Sequence, residues 1–273
     1  MIEYREMKNE DIDAGLALCR SAGWNQLEND WNLFLELNPH GSRVAVDENG
    51  KVVGTVTTII YEDHFSWVGM VLVDPSRKRE GIGTQLLQEA LKILSLQKTI
   101  KLDATPAGRE VYLKLGFMDE YTLCRMVATH IEELPVCYAT PATQNDLPLI
   151  LQKDKQVFGA SRIGLLQRLH EKFPEFSFMG SGSYSFGRKG YNYTQVGPVI
   201  ADSLNDAIEV TSSALKNTDG PVILDVLHAS PFYDWLISIG FTEQRKLIRM
   251  YRGTNAFPGI PEKQFAILGP EFG

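Results

Sequence analysis

Apolar residues recur along this chain in two registers, every second position or every third to fourth, and the changes of register mark out its elements. The opening IEYREM alternates as a strand does, and KNEDIDAGLALCRSAG carries Ile12, Leu16, Leu18 and Cys19 at helical spacing until Gly23 stops it. QLENDWNLFLELN predicts a second helix, ended at Asn38 and Pro39. SRVAVD and KVVGTVTTIIYE then predict two strands joined by the turn residues Asp47, Glu48, Asn49 and Gly50. FSWVGMVLV is apolar almost throughout, the pattern of a strand covered on both faces. From Gly83, GTQLLQEALKILSL aligns Leu86, Leu87, Ala90, Leu91 and Leu94 on one helix face. IKLDA predicts a strand, TPAGREVYLKLGF a helix ended by Gly116, and EYTLCRMV a closing strand. The order βααβββαβαβ predicts a mixed α/β sheet with a glycine-punctuated loop between a buried strand and a helix.

After ATHIEELPV the pattern begins again: CYATPATQNDLPLILQ predicts a strand, Thr143 as helix N-cap, and a helix. Gly116, Phe117, Leu123, Arg125 and Met126 recur as Gly240, Phe241, Leu247, Arg249 and Met250, all 124 positions later. Asp11 and Ile12 recur as Asp146 and Leu147 at a spacing of 135. These matches predict two tandem copies of one fold, residues 1–134 and 135–273, the second shorter between its anchors.

Composition agrees with two compact domains: 273 residues, 44% apolar and 22% charged. Charge is divided unevenly, with 14 basic against 21 acidic residues up to position 134 and 13 against 13 beyond it. A net charge of −7 and a pI near 5.3 disfavour nucleic acid or an anionic membrane as partner, because both require a positive surface. An acidic surface suits a cationic acceptor such as an amine, or serves solubility alone. Apolar runs are of strand length and the acidic N-terminal segment is unlike a targeting peptide, so a soluble cytoplasmic protein is expected. Cys19, Cys124 and Cys137 and five scattered histidines lack metal-ligand spacing, so no metal is expected.

The sharpest chemical signal is Lys78, Arg79, Glu80, Gly81, Ile82, Gly83 and Thr84, set between the buried strand and the amphipathic helix. The first N–H groups of a helix lack intrahelical partners and carry the positive end of its dipole, so a phosphate placed there is stabilised. Glycines 81 and 83 remove the Cβ atoms that would keep phosphate oxygens away, and Lys78 and Arg79 add charge at the rim. A Walker loop is absent, and the third glycine of a dinucleotide fingerprint is replaced by Leu86.

The run resembles the R/Q-x-x-G-x-G/A motif of the GNAT acetyltransferase superfamily, as do the strand VGMVLVDP before it and A-x-x-x-Y-L-K-L-G-F after it. The resemblance covers residues 1 to about 127. LDATPAGREVYLKLGF and the tail Ala266 to Glu271 are similar to a bacterial subgroup with a second, GNAT-like C-terminal domain. Tandem GNAT folds are thereby implied, the first an acetyltransferase and the second degenerate, shaping the acceptor site or stabilising the first. Acetyl-coenzyme A is the implied co-substrate, and a primary amine of a small molecule the implied acceptor, in a monomer or homodimer. Met70, Val71 and Val73 would hold pantetheine and thioester through backbone groups, with Lys78 to Thr84, Thr105 and Arg109 completing the cofactor site. Lys78 stands where Arg or Gln is usual, and Thr105 where many relatives carry Asn.

The resemblance puts Tyr112 near the coenzyme A sulfur as general acid, a role that suits a phenol protonated at neutral pH; packing on a helix face is the structural alternative. Trp67 occupies the position where some relatives carry a catalytic Glu. That leaves a water chain, or Asp103 at the end of IKLDA, to handle the amine proton; a helix cap is the other reading of Asp103. Trp24, Asn25 and Gln26, in the loop between the first two helices, and Trp67 are candidate acceptor-site residues, and Arg162 and Arg188 candidate partners for an acceptor carboxylate. In the second copy, the spacing of 124 sets Asn205, Ala207 and Leu236 against Gly81, Gly83 and Tyr112, which predicts loss of cofactor binding. A transferase of longer acyl groups and a non-catalytic acyl-coenzyme A sensor are the alternative functions.

Overall fold

Strands and helices form where the register changes place them in the computed structural model, which describes residues 1–273. The first half contains β1 (Glu3–Glu6), α1 (Ile12–Ser21), α2 (Glu28–Leu37), β2 (Arg43–Val46), β3 (Val52–Tyr61), β4 (Phe65–Val73), α3 (Ile82–Ile93), β5 (Thr99–Ala104), α4 (Pro106–Lys114) and β6 (Met118–Ala128). The second contains β7 (Thr140–Pro141), α5 (Leu147–Phe158), α6 (Ile163–Lys172), β8 (Phe178–Gly180), β9 (Ser183–Lys189), β10 (Thr194–Ala201), α7 (Leu204–Leu215), β11 (Val222–Leu227), α8 (Pro231–Ser238), β12 (Thr242–Gly253) and β13 (Gln264–Ala266). Thr143 does not cap α5. It donates through its N–H and hydroxyl to Asp146, which occupies the N-cap position.

The strands form one sheet in the order β1-β2-β3-β4-β5-β12-β6-β11-β13-β10-β9-β8-β7. The closing strand of each half has crossed into the other: β12 pairs with β5, and β6 with β11. The two long strands pair with each other antiparallel, with Leu123 opposite Leu247. Those leucines are equivalent under the 124-residue repeat, so a pseudo-twofold axis passes between them, where they cluster with Ile267. Two buried ion pairs lock the exchange. Arg249 of β12 donates to Asp103 of β5 at 2.9 and 2.8 Å, and its repeat equivalent Arg125 donates to Asp225 of β11 at 2.8 and 2.7 Å.

Apolar residues cover both faces of the sheet, as the near-continuous apolar runs of β3 and β4 require. α3 packs its Leu86, Leu87 and Ala90 against β2 to β5 on one side. On the other, Trp31 and Phe34 of α2, Trp67 of β4, Phe158 of α5 and Phe272 of the tail share one core, so both halves contribute to the same apolar cluster.

Candidate active site

The loop after β4 is held open by its own charges. Asp74 accepts from Ser76 N–H and from Lys51, while Arg77 clamps Glu80 through Nε at 2.9 Å to both carboxylate oxygens. Glu80 therefore neutralises Arg77 within the loop. Lys78 and Arg79 are exposed and make no ion pair, leaving two free cations at the rim. Gly81 takes a φ of +81° at the N-cap of α3, a conformation that costs a residue with a Cβ energy. The first N–H to be satisfied within the helix is that of Gln85, which donates to Gly81. The amides of Ile82, Gly83 and Thr84 thus point outward unpaired. A Cβ on Gly81 would meet nothing within 4 Å and one on Gly83 only Val73 at 3.4 Å, so protein packing does not demand glycine at 83. Open space above these amides is what the missing side chain preserves.

β4 carries the second feature. Its register against β3 slips between the pairs Thr55–Leu72 and Thr57–Gly69, one extra residue on β4, and Met70 at the bulge has a φ of +50°. Thr55 Oγ1 holds the Met70 carbonyl at 2.8 Å. β4 and β5 run parallel but pair only at Ser66–Ile100 and Trp67–Lys101, after which they diverge. Beyond Trp67 the β4 backbone facing β5 has no strand partner, and a slot opens inside the sheet. Burying unpaired amides and carbonyls is costly, so a slot of this kind suits a ligand with amide groups of its own.

A pocket of about 600 Å³, counting its mouth, occupies the divergence. Val68 to Val71 line it from β4, Leu102, Asp103 and Thr105 from β5 and its end, Tyr112 from α4, and Trp24 and Gln26 from the α1–α2 loop. Arg125, Arg245, Leu247, Pro270 and Glu271 complete it from the exchanged strands and the tail. The Tyr112 hydroxyl makes no hydrogen bond to protein, and desolvation pushes the phenol up to about 12, so it is an available O–H donor at neutral pH. Thr105 is occupied as N-cap of α4, accepting from Gly108 N–H at 3.1 Å. Asp103 is raised by burial, against which Arg249 works by charge and by two hydrogen bonds.

Several expected site residues lie elsewhere or are engaged. Asn25 is buried and clamps the second half, donating to Tyr193 carbonyl and accepting from the N–H groups of Asn192 and Tyr193. Trp67 is a core residue behind the pocket, with its indole N–H on the Pro270 carbonyl at 2.9 Å and Arg249 over its ring at 4.6 Å. Val73 faces α3 rather than the pocket. Arg109 is tied to Asp119 at 2.6 Å on the surface. Arg162 and Arg188 are also spent: the first holds Asp154 and the Gly273 carbonyl, the second Asp30, Glu271 and the Leu268 carbonyl.

Gln26 lines the pocket beside Trp24, as the loop between the two helices suggested, but periodicity carried no sign of Arg125, Arg245 or Glu271 there. The tail had a signature but no visible destination: it returns from the second half to the first, where Glu271 carbonyl comes so near β4 that a Cβ at Gly69 would sit 2.7 Å from it.

The second half repeats the slot and fills it. β10 and β11 are parallel, paired at Thr194–Val222 and Gln195–Ile223, and β10 is bulged around Gly197 and Pro198. Into the divergence runs β13, pairing Ala266 with both Val199 and Val226. The helix that follows is capped by Ser203, so Ser203 and Asn205, rather than Asn205 and Ala207, stand opposite Gly81 and Gly83. Its cap is closed by the Ser203 side chain, which accepts from Asp206 N–H.

Comparison with known proteins agrees with this geometry. The acetyltransferase (GNAT) family model matches residues 9–117, and an acetyltransferase (GNAT) domain model matches residues 150–266. Holothin acyltransferase of a Pseudoalteromonas species is 24% identical over 261 residues, which cover 92% of this chain and 87% of that protein. The N-acetyltransferase YitH of Bacillus subtilis is 23% identical over 252 residues, 88% of this chain and 87% of the relative. A putative acetyltransferase from Pyrococcus horikoshii shares the fold with a TM-score of 0.81 at 21% identity, over 100% of this chain and 96% of that one. A tandem GNAT protein from the clavulanic acid biosynthesis pathway does so with a TM-score of 0.65 at 13% identity, over 92% and 98%. Two consecutive family matches, an open slot in one half and a filled slot in the other identify the chain as a member of the GNAT acyltransferase superfamily, built from two GNAT domains that share a single sheet.

Proposed function

We propose that this chain transfers an acetyl group from acetyl-coenzyme A to a primary amine of a small molecule, with the chemistry in residues 1–134 and residues 135–273 closing the acceptor side. The divergence of β4 from β5 carries the reading: it opens a slot lined by Val68 to Val71 and Tyr112, on the strand that leads into the bare amides of α3. The residues present fit the co-substrate. Unpaired N–H groups at Ile82, Gly83 and Thr84, with Lys78 and Arg79 at the rim, suit a pyrophosphate. Unpaired backbone along Val68 to Val71 suits the amides of pantetheine. Bound there, acetyl-coenzyme A supplies the activated acyl group and a thiolate leaving group.

The bulge at Met70 turns the β4 backbone toward the slot, and Thr55 fixes it from behind, so N–H groups are preorganised where charge develops on the acyl oxygen. Tyr112 delivers its proton to the departing sulfur. The incoming amine must shed a proton. Asp103 and Glu271 are the carboxylates on the pocket wall, each gripped by an arginine, so neither takes the proton outright and water beside them carries it out to solvent.

Release of coenzyme A over a panel of primary amines tests the reading. Tyr112→Phe is expected to lower kcat by about a hundredfold with little change in acetyl-coenzyme A affinity. Because its phenol titrates near 12, wild-type kcat should show no loss from Tyr112 ionisation up to about pH 11. Equal turnover by the Phe variant removes the assigned acid.

A further inference from the structure

Every ionised side chain on the pocket wall is matched by a partner of opposite charge except one. Asp103 has Arg249, Arg125 has Asp225, and Glu271 has Arg188. Arg245, half-buried on β12, makes no hydrogen bond or ion pair, and its Nε is buried without a partner. It stands directly across the ladder from Arg125, an arrangement of like charges that costs stability unless something answers it. Asp225 and Glu271 act on Arg245 only by charge from a distance; neither accepts a hydrogen bond from it, and the Asp225 carboxylate is taken by Arg125 and by Gln195 Nε2 at 2.9 Å.

The internal repeat shows how the row would look if it served the fold alone. Around Arg249 the row reads Asp103, Arg249, Tyr121, and Arg249 Nη1 donates to the Tyr121 hydroxyl at 2.7 Å, so every group is satisfied. Around Arg125 the equivalent row reads Asp225, Arg125, Arg245, with an arginine at the tyrosine's position. Arg245 cannot accept a hydrogen bond, so Arg125 Nη1 is left without a partner and the row carries one excess positive charge. Across the same pocket Glu271 Oε1 is held by Arg188 while Oε2 accepts nothing.

We infer that the acceptor is an amino acid-like molecule, a primary amine that also carries a carboxylate, and that Arg245 with Nη1 of Arg125 binds the carboxylate while the amine lies toward Glu271. The inference rests on the amine acetyltransferase reading above and narrows its acceptor. Planar guanidinium groups presented side by side suit a carboxylate, whose two oxygens accept from both. Arg245 remains protonated at neutral pH, although burial and the nearby Arg125 lower it to about 10.

A panel of α- and ω-amino acids, each beside its carboxamide and its decarboxylated amine, measured by coenzyme A release with wild type and Arg245→Gln, tests this. Wild type should favour at least one amino acid over both neutral counterparts by about tenfold or more in kcat/KM. Arg245→Gln should erase that preference while retaining acetyl-coenzyme A binding in calorimetry, which also reports that the variant is folded. Equal or better turnover of the neutral amines, or a preference that survives Arg245→Gln, overturns the carboxylate assignment and leaves the acetyltransferase reading standing. Binding of acetyl-coenzyme A with no turnover of any amine overturns both.

Discussion

Asp103 shows how much of a residue's role is set by its neighbour. Its position at the end of a strand, before a Thr-Pro helix start, allows a base, a cap or a hydrogen-bonding group. The structure adds Arg249, which arrives from 146 residues away and takes both oxygens. Asp103→Asn would leave a buried guanidinium uncompensated, so we expect unfolding free energy in urea to fall by about 3–5 kcal/mol. A loss of activity without that fall would show that the carboxylate acts on the amine directly. The family resemblance put Tyr112 near the site, and it does line the pocket, while the flanking strand and amphipathic helix marked Gly81 and Gly83 as a helix start. The places of Asn25, Trp67, Arg162 and Arg188 were not legible, since a side chain's partner depends on what the other half of the chain brings to it.

At the scale of elements, the α3 N-terminus and the divergence of β4 from β5 together make the proposed cofactor site, and each makes a prediction. Gly83→Val places a branched side chain over unpaired amides, and its Cβ would meet only Val73, at 3.4 Å. It should weaken acetyl-coenzyme A binding by about tenfold or more in calorimetry while leaving Tm within a few degrees. Unchanged affinity would remove the helix N-terminus from the cofactor site. The second slot is filled by β13, and its helix cap is closed by Ser203. One equivalent of acetyl-coenzyme A per chain is therefore expected, and a second equivalent would mean that β13 leaves the sheet. The absence of glycines at the head of the second copy's helix could be read from its residues, but a strand of the chain's own tail in the second slot could not. Three residues, Gln264 to Ala266, are too few for periodicity to show where they pair.

For the whole molecule, the exchanged strands make the two halves depend on each other. β5 lacks its neighbour without β12, β6 lacks β11, and each buried arginine of these strands finds its carboxylate in the opposite half. Urea unfolding of the full chain should be a single transition by both fluorescence and circular dichroism. Residues 1–134 alone should be unfolded or aggregated, and a stable monomeric domain from that segment would show that β6 can close its own sheet. The sequence by itself determined the local structure: which residues are strands or helices, where the glycine loop lies, and that the pattern occurs twice. These follow from side-chain periodicity and backbone preference, which act over a few residues. Only the tertiary structure decided which half's strand completes which sheet, where the tail goes, and which arginine of the pocket is left without a carboxylate. Two copies of one sequence offer strand edges that are nearly alike, so the choice between closing and exchanging is made by packing and ion pairs summed across the whole sheet.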